Sequence, residues 1–326
     1  MSNFLEPLVD ALCETTAIAL HGIPRVYDSM GRLMYRIVEG KPYDGDYEVK
    51  PVESVQYSFV PLESFDIDET ISYSFVEGDK QGLKACIGYD VLNNDPVIVD
   101  MTESHLLIGG ASRWGKSNIL NVLITSLMLA YTPNEVRLIL CDYKNADLKQ
   151  FERYKHVAGS VATDKAQLMS HFNYIKREMK KRAKILNEAD CLNAINYNKI
   201  NDKKMTYIIF VIDELVQVTF DKAMREELHF IMCKAASYGI YFILASQDCT
   251  KDTIGRCKMN VSHTIGLHAR DKSDSDMVIK NGNLEDIKVK GRAKYDCGDL
   301  VEFQSFYISE AQIRELLKPL DKRKGN

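Results

Sequence analysis

No apolar run in the sequence approaches the ~20 residues that a membrane-spanning helix needs, so membrane insertion is not expected. The opening stretch MSNFLEPLVDALCETTAIAL holds acids where a secretory leader carries a basic segment, and a soluble, cytoplasmic protein is expected. Neither sign of charge dominates: 42 Lys and Arg against 46 Asp and Glu leave a net charge of -4. The chain as a whole exerts no pull on a polyanion, and any nucleic-acid contact must come from a local basic surface. Paired cysteines are also missing. The eight cysteines include no CxxC spacing, and several sit in apolar runs such as LILCD and FIMCKAA. That usage predicts buried free thiols in a reducing compartment in place of a disulfide or zinc framework. The seven histidines show no metal-ligand spacing; His105 and His263 read as core or strand-end residues. There is no internal repeat, no low-complexity segment, and a single tryptophan, Trp114.

What the chain does have, from about residue 105 onward, is a rhythm of short apolar runs separated by longer helix-period segments. HLLIGG, EVRLILCDY, MTYIIFVIDE, GIYFILASQ and VSHTIGLHA are too short and too β-branched for helices and read as strands. Between them, Leu228, Ile231, Met232 and Ala235 recur at spacings of three and four, an apolar stripe that faces a sheet. Apolar strands separated by helices predict an α/β fold whose sheet is mostly parallel and covered on both faces. Residues 1–85 lack this rhythm; they are rich in tyrosine and acids and read as a small N-terminal β-containing domain of unassigned role. Residues 86–326 form the second unit. It closes with a hairpin, GRAKYDCGDLVEFQSFYI, turning at Cys297 and Gly298, and a helix opened by a Ser309/Gln312 capping box.

Gly110, Gly115, Lys116 and Ser117 fit the pattern GxxxxGK(S/T), preceded by an apolar strand and followed by the helical SNILNVLITSLMLA. The glycines let backbone amides turn in around phosphate oxygens. The helix N-terminus adds partial positive charge, Lys116 reaches the outer phosphates, and Ser117 ligates Mg²⁺. A second apolar strand ends in Asp213 and Glu214. In phosphate-loop NTPases an aspartate there holds the magnesium shell, and a following glutamate polarises the attacking water. Gln247 closes a third strand, facing the crevice where open α/β sheets bind ligands; it is the candidate sensor of the γ-phosphate. The cofactors expected are ATP and Mg²⁺.

Taken in order, the phosphate loop, LCDYK, REMKKRAKIL, NAINYN, FVIDEL, KAASYGIYFILASQ and DKSDS resemble the FtsK/SpoIIIE family of DNA-translocating ATPases over roughly residues 86–308. The resemblance implies a RecA-like P-loop NTPase core and a ring, usually a hexamer, with ATP between subunits and double-stranded DNA in the pore. It carries nucleotide binding to Gly110, Ala111, Ser112, Arg113, Trp114, Gly115, Lys116, Ser117 and Asn118. The metal falls to Ser117 and Asp213, and catalysis to Lys116, Glu214 and Gln247. The family's SKxDSR-like stretch carries an arginine where this chain has Asp276. Arg256 and Arg270 are therefore the candidates for an arginine acting on a neighbouring subunit's site.

In two further departures from the family, no winged-helix module is expected after the motor and no membrane anchor before it, an organisation that resembles versions carried by phages, plasmids and integrative elements. Sequence-indifferent DNA contacts require lysines and arginines near the strands that bear the site. Lys199, Lys203 and Lys204 before the Asp213 strand, and Lys222 and Arg225 after it, are the candidates. The basic helix 176–184 instead shows one packed face, through Ile175, Met179 and Ile185, and is assigned to structure or a subunit interface. Trp114 lies between the phosphate-wrapping glycines, where it is expected either to project toward a neighbouring subunit or to make local contacts only. Three functions follow: an ATP-driven DNA motor, a protein-export or assembly ATPase of the same superfamily, and a non-catalytic nucleotide-dependent DNA-binding subunit.

Overall fold

The five apolar runs become the parallel half of a nine-stranded sheet. In the computed structural model, which describes residues 82–102 and 104–322, the strands are β1 (Lys84–Asp90), β2 (Pro96–Asp100), β3 (His105–Gly109), β4 (Val136–Asp142), β5 (Tyr207–Asp213), β6 (Ile240–Ser246), β7 (Val261–Gly266), β8 (Arg292–Asp296) and β9 (Leu300–Ser305). The N-terminal unit expected over 1–85 lies outside the described residues apart from 82–85. Strand order is β2-β1-β9-β8-β7-β3-β6-β5-β4. Strands β7, β3, β6, β5 and β4 run parallel, and the other four join antiparallel. Strands β3 to β6 are buried at nearly every position, which is why they read as continuous apolar runs and not as alternating ones.

Register decides where chemistry can gather. Asp142 pairs with Asp213 across β4 and β5, Asp213 with Ala245 across β5 and β6, and Gly109 with both Ser246 and Gly266. The carboxyl ends of β3 to β7 are thus level, and the neighbours β3 and β6 connect onward in opposite directions, β3 to β4 and β6 to β7, the topology that opens a ligand crevice.

The helices are α1 (Lys116–Ala130), α2 (Lys165–Glu188), α3 (Ala194–Ile200), α4 (Leu215–Thr219), α5 (Lys222–Ala235), α6 (Lys251–Lys258), α7 (Lys272–Val278) and α8 (Glu310–Leu316). Phe172, Ile175 and Met179 of α2 and Leu228, Ile231, Met232 and Ala235 of α5 share one core with Phe210 and Phe242 of the sheet. Each large side chain buried there contributes about 1.5–3 kcal/mol. Ile185, expected on that face, is only partly buried; the adjoining Leu186 is buried in its place. Arg182 is buried too, and its guanidinium donates to the carbonyls of Tyr238 and Thr206 at 2.7 Å each, tying α2 to the starts of β5 and β6.

His105 is structural: Nε2 lies 3.0 Å from the Met232 carbonyl and Nδ1 accepts the Phe242 amide at 3.2 Å, which fixes the tautomer. His263 is buried with Nδ1 3.0 Å from the Tyr295 hydroxyl. Cys86, Cys141, Cys249 and Cys257 are buried. Cys233 and Cys297 are exposed and Cys191 is half-buried, against the expectation of burial; at Cys233 the apolar stripe of α5 passes through its neighbours. β8 and β9 pair as a hairpin, and Ser309 and Gln312 form the reciprocal capping box of α8.

Candidate nucleotide site

Between β3 and α1 the chain turns through residues 110–115. Gly110 (φ 156°) and Gly115 (φ 111°) take backbone conformations that favour glycine, and Arg113 (φ 70°) is left-handed as well. A Cβ on Gly110 would lie 2.7 Å from that of Leu267, so the loop is pressed against the end of β7. Three tethers hold it there. The Gly110 amide donates to Ser246 O at 3.3 Å, the Ala111 amide to His268 O at 2.8 Å, and Trp114 O accepts from Gly291 at 3.2 Å. Helix α1 then begins with no side-chain cap and no acid in its first turn. Its open amides and dipole present an uncompensated positive pole, the arrangement that binds phosphate.

The ends of β4 and β5 surround this pole with acids. Lys116, 4% exposed, forms an ion pair with buried Asp213. Burial raises the Asp213 pKa, and the pull of the Lys116 ammonium does not cancel that rise. The Ser117 hydroxyl donates to Asp147 at 2.6 Å. Asp147 is held in turn by Asp142, whose carboxylate accepts the amides of Lys144, Ala146, Asp147 and Leu148 at 2.9–3.0 Å. A uniform set of oxygen donors beside an ammonium suits a phosphate chain with a hard divalent cation, which usually takes only one or two protein ligands. Among the described residues no cluster of three or more His, Cys, Asp or Glu is arranged to hold a metal by itself.

Glu214 follows β5 in the left-handed region (φ 73°) and is 4% exposed. A glutamate rarely adopts that conformation, and such backbones concentrate at functional sites. Its Oε1 accepts the Gln247 amide at 3.3 Å, and its Oε2 accepts the Lys144 ammonium at 2.9 Å. Burial works to lower the Lys144 pKa, but the bond to Glu214 and the charges of Glu214, Asp213 and Asp147 leave it raised. The Gln247 side chain accepts the Ser112 hydroxyl at 2.6 Å. Lys116, Ser117, Asp213, Glu214 and Gln247, far apart in sequence, thus meet at one sheet edge.

Asn118 faces away from this cluster: it donates to the Phe306 carbonyl and accepts the Ile308 amide at 3.0 Å, clamping the segment after the hairpin to α1. Arg113 is exposed. Trp114 is half-buried and stacks on His268 of its own chain, with ring centroids 4.0 Å apart. Arg256 is exposed on α6, and Arg270 is exposed beside the β7 end with an ion pair to Asp274 at 2.8 Å. The basic candidates divide. Lys222 and Arg225 open α5 at the nucleotide edge, where Arg225 donates to Thr219 O at 3.1 Å. Lys199, Lys203 and Lys204 are exposed before the start of β5. The seven residues of β5, at ~3.3 Å each, separate the two groups by roughly 20 Å.

The FtsK/SpoIIIE family pattern matches residues 72–269. The chain belongs to the FtsK/SpoIIIE family. It is 30% identical over 254 residues to DNA translocase FtsK of Leptospira interrogans, a match covering 73% of this chain and 27% of that one. To DNA translocase SftA of Bacillus subtilis it is 26% identical over 260 residues, covering 76% of this chain and 27% of that one. The matched part is thus about a quarter of the length of these FtsK/SpoIIIE relatives. Among solved structures, the pCW3 conjugation coupling protein TcpA with ATPγS superposes with a TM-score of 0.66 at 24% identity, over 77% of this chain and 74% of that one. EssC (ATPases 2 and 3) of Geobacillus thermodenitrificans superposes with a TM-score of 0.69 at 18% identity, over 77% and 51%. Both share the RecA-like fold, and the family is one of P-loop ATPases.

Three members of the site escaped the reading of individual residues: Asp142, Lys144 and Asp147. The rule that selected Asp213, an acid at the carboxyl end of an apolar parallel strand, applies equally to Asp142 in LCDYK. Lys144 and Asp147 carry no such signal; only the hydrogen bonds of Asp142 bring them in.

Proposed function

We propose that this FtsK/SpoIIIE member is an ATP-hydrolysing motor that moves double-stranded DNA through an oligomeric ring, six subunits by analogy with the family, in DNA transfer, segregation or packaging. The observation that carries the reading is the uncapped α1 N-terminus, with Lys116 and Ser117, set level with the acids that end β5. The α1 amides and Lys116 bind phosphate oxygens, and Ser117 and Asp213 hold Mg²⁺. Magnesium-bound ATP supplies the phosphoanhydride bond whose hydrolysis drives the cycle. Glu214 orients the attacking water and accepts its proton at a carboxylate oxygen. Gln247, joined to Ser112 of the loop and through its amide to Glu214, relates the state of the loop to that of the base.

Lys222 and Arg225, on the nucleotide edge, are the favoured DNA contacts; Lys199, Lys203 and Lys204 belong to a second surface at the opposite edge. Arg270, next to the His268–Ala111 tether, is favoured over Arg256 as the arginine that reaches a neighbouring site. The test is steady-state ATPase activity with and without linear duplex DNA. Wild type is expected to hydrolyse ATP faster with DNA, and Glu214→Gln to lose at least ~100-fold in kcat while still binding nucleotide. Hydrolysis indifferent to DNA would favour an export or assembly ATPase. Absent hydrolysis by an assembled protein would favour a nucleotide-dependent binding subunit.

A further inference from the structure

Each Glu214 oxygen keeps a lone pair, but both oxygens are held, so the carboxylate is not free to turn toward a water. Oε1 is held by the Gln247 amide at 3.3 Å and Oε2 by the Lys144 ammonium at 2.9 Å. A general base needs a free lone pair within hydrogen-bond reach of the proton it removes. The two ends of the ion pair differ sharply in setting: the Glu214 side chain is 5% exposed, that of Lys144 47%. A buried carboxylate is therefore restrained by a cation whose other side faces solvent, and such a half-exposed pair is weak enough to break within a working cycle.

The lysine is nonetheless placed firmly. Its backbone amide donates to Asp142, and three further amides on Asp142 fix the loop from residue 144 to 148. The same loop presents Asp147 to the Ser117 hydroxyl. One short loop thus touches the phosphate side of the site and Glu214 together.

We propose that Lys144 is a positioning residue that restrains Glu214 through their ion pair, so that hydrolysis requires the Lys144 ammonium to leave the Glu214 carboxylate. The inference rests on the assignment of Glu214 as the base. It assigns Lys144 a restraining role, so removing it speeds the reaction where removal of a catalytic group would slow it.

Two measurements test it. The first needs no nucleotide: urea unfolding of wild type, Lys144→Met, Glu214→Gln and the double variant. The unfolding equilibrium constants are expected to be non-additive by about fivefold; strict additivity overturns the proposal. The second is ATP turnover without DNA. Lys144→Met is expected to raise kcat about fivefold with KM for ATP unchanged, and Lys144→Arg, which keeps a cation at Oε2, to stay near wild type. An unchanged or lower kcat for a folded Lys144→Met overturns the restraint and leaves the ATPase reading standing. Full activity in Glu214→Gln overturns the assignment of Glu214 as the base and this inference with it, while the ATPase reading stands; no hydrolysis by wild type and Lys144→Met alike overturns both.

Discussion

Replacing Asp142 by asparagine changes one atom at the most heavily used acceptor of the site. The carboxylate is 1% exposed and takes four backbone amides, three on Oδ2 and one on Oδ1, at 2.9–3.0 Å. An asparagine can keep its oxygen toward the amides of Ala146, Asp147 and Leu148, but its NH₂ group then faces the Lys144 amide, donor against donor. Leaving that donor unpaired costs about 1–3 kcal/mol. The three remaining bonds pass from charge-assisted to neutral and lose roughly half their strength, about 2 kcal/mol together. Asp142→Asn is therefore expected to destabilise the domain by about 3–5 kcal/mol, which for a domain of this size lowers Tm by roughly 6–20 °C. Calorimetry measures the shift, and titration with a fluorescent ATP analogue should show weaker binding, because the loop that presents Asp147 to Ser117 is released. A variant within about 1 kcal/mol of wild type that binds nucleotide normally would refute the claim that Asp142 organises the loop.

Trp114 is the only tryptophan, and its stack on His268 makes its emission a report on the phosphate loop. Nucleotide binding should change the emission, and His268→Ala should shift it and cost about 0.5–1.5 kcal/mol; identical spectra for wild type and variant would contradict the stack. Trp114→Ser separates local contact from assembly: loss of stability without loss of oligomers would assign the ring to its own chain. The buried histidines set the pH response. Burial lowers the pKa of His105, His156 and His171, so the unfolded chain takes up protons that the fold refuses. Stability is complete above the unfolded value, about 6.5, and is lost as pH falls through it toward the lowered folded values. The urea midpoint should be lower at about pH 5.5 than at about pH 7.5; an equal or higher midpoint in acid would contradict it.

The parallel half of the sheet was legible because its strands β3 to β6 are buried at nearly every position and are written as mainly apolar runs. The phosphate loop was legible because its conformations demand glycine at 110 and 115. β1 and β2 were harder to place. VLNNDPVIVD leads into the phosphate loop, yet its strand β2 pairs only with β1, and β1 joins the sheet beside β9, more than two hundred residues away in sequence, a pairing that no local pattern encodes. The same distance effect hid Lys144. Its neighbours in sequence are unremarkable, and its role depends on Glu214 lying at the level end of the adjoining strand. Trp114 shows the converse: its position in the loop was plain, but its partner, His268, is set by how β7 ends and not by anything near residue 114.

The central claim is movement on DNA driven by hydrolysis at the α1 site, and displacement of a third strand from linear duplex tests it most directly. With ATP, wild type is expected to release a labelled triplex-forming strand at a rate that rises with ATP concentration. Glu214→Gln and a non-hydrolysable analogue are expected to release none. ATP hydrolysis by wild type without strand release, or release that persists in Glu214→Gln, would contradict the account.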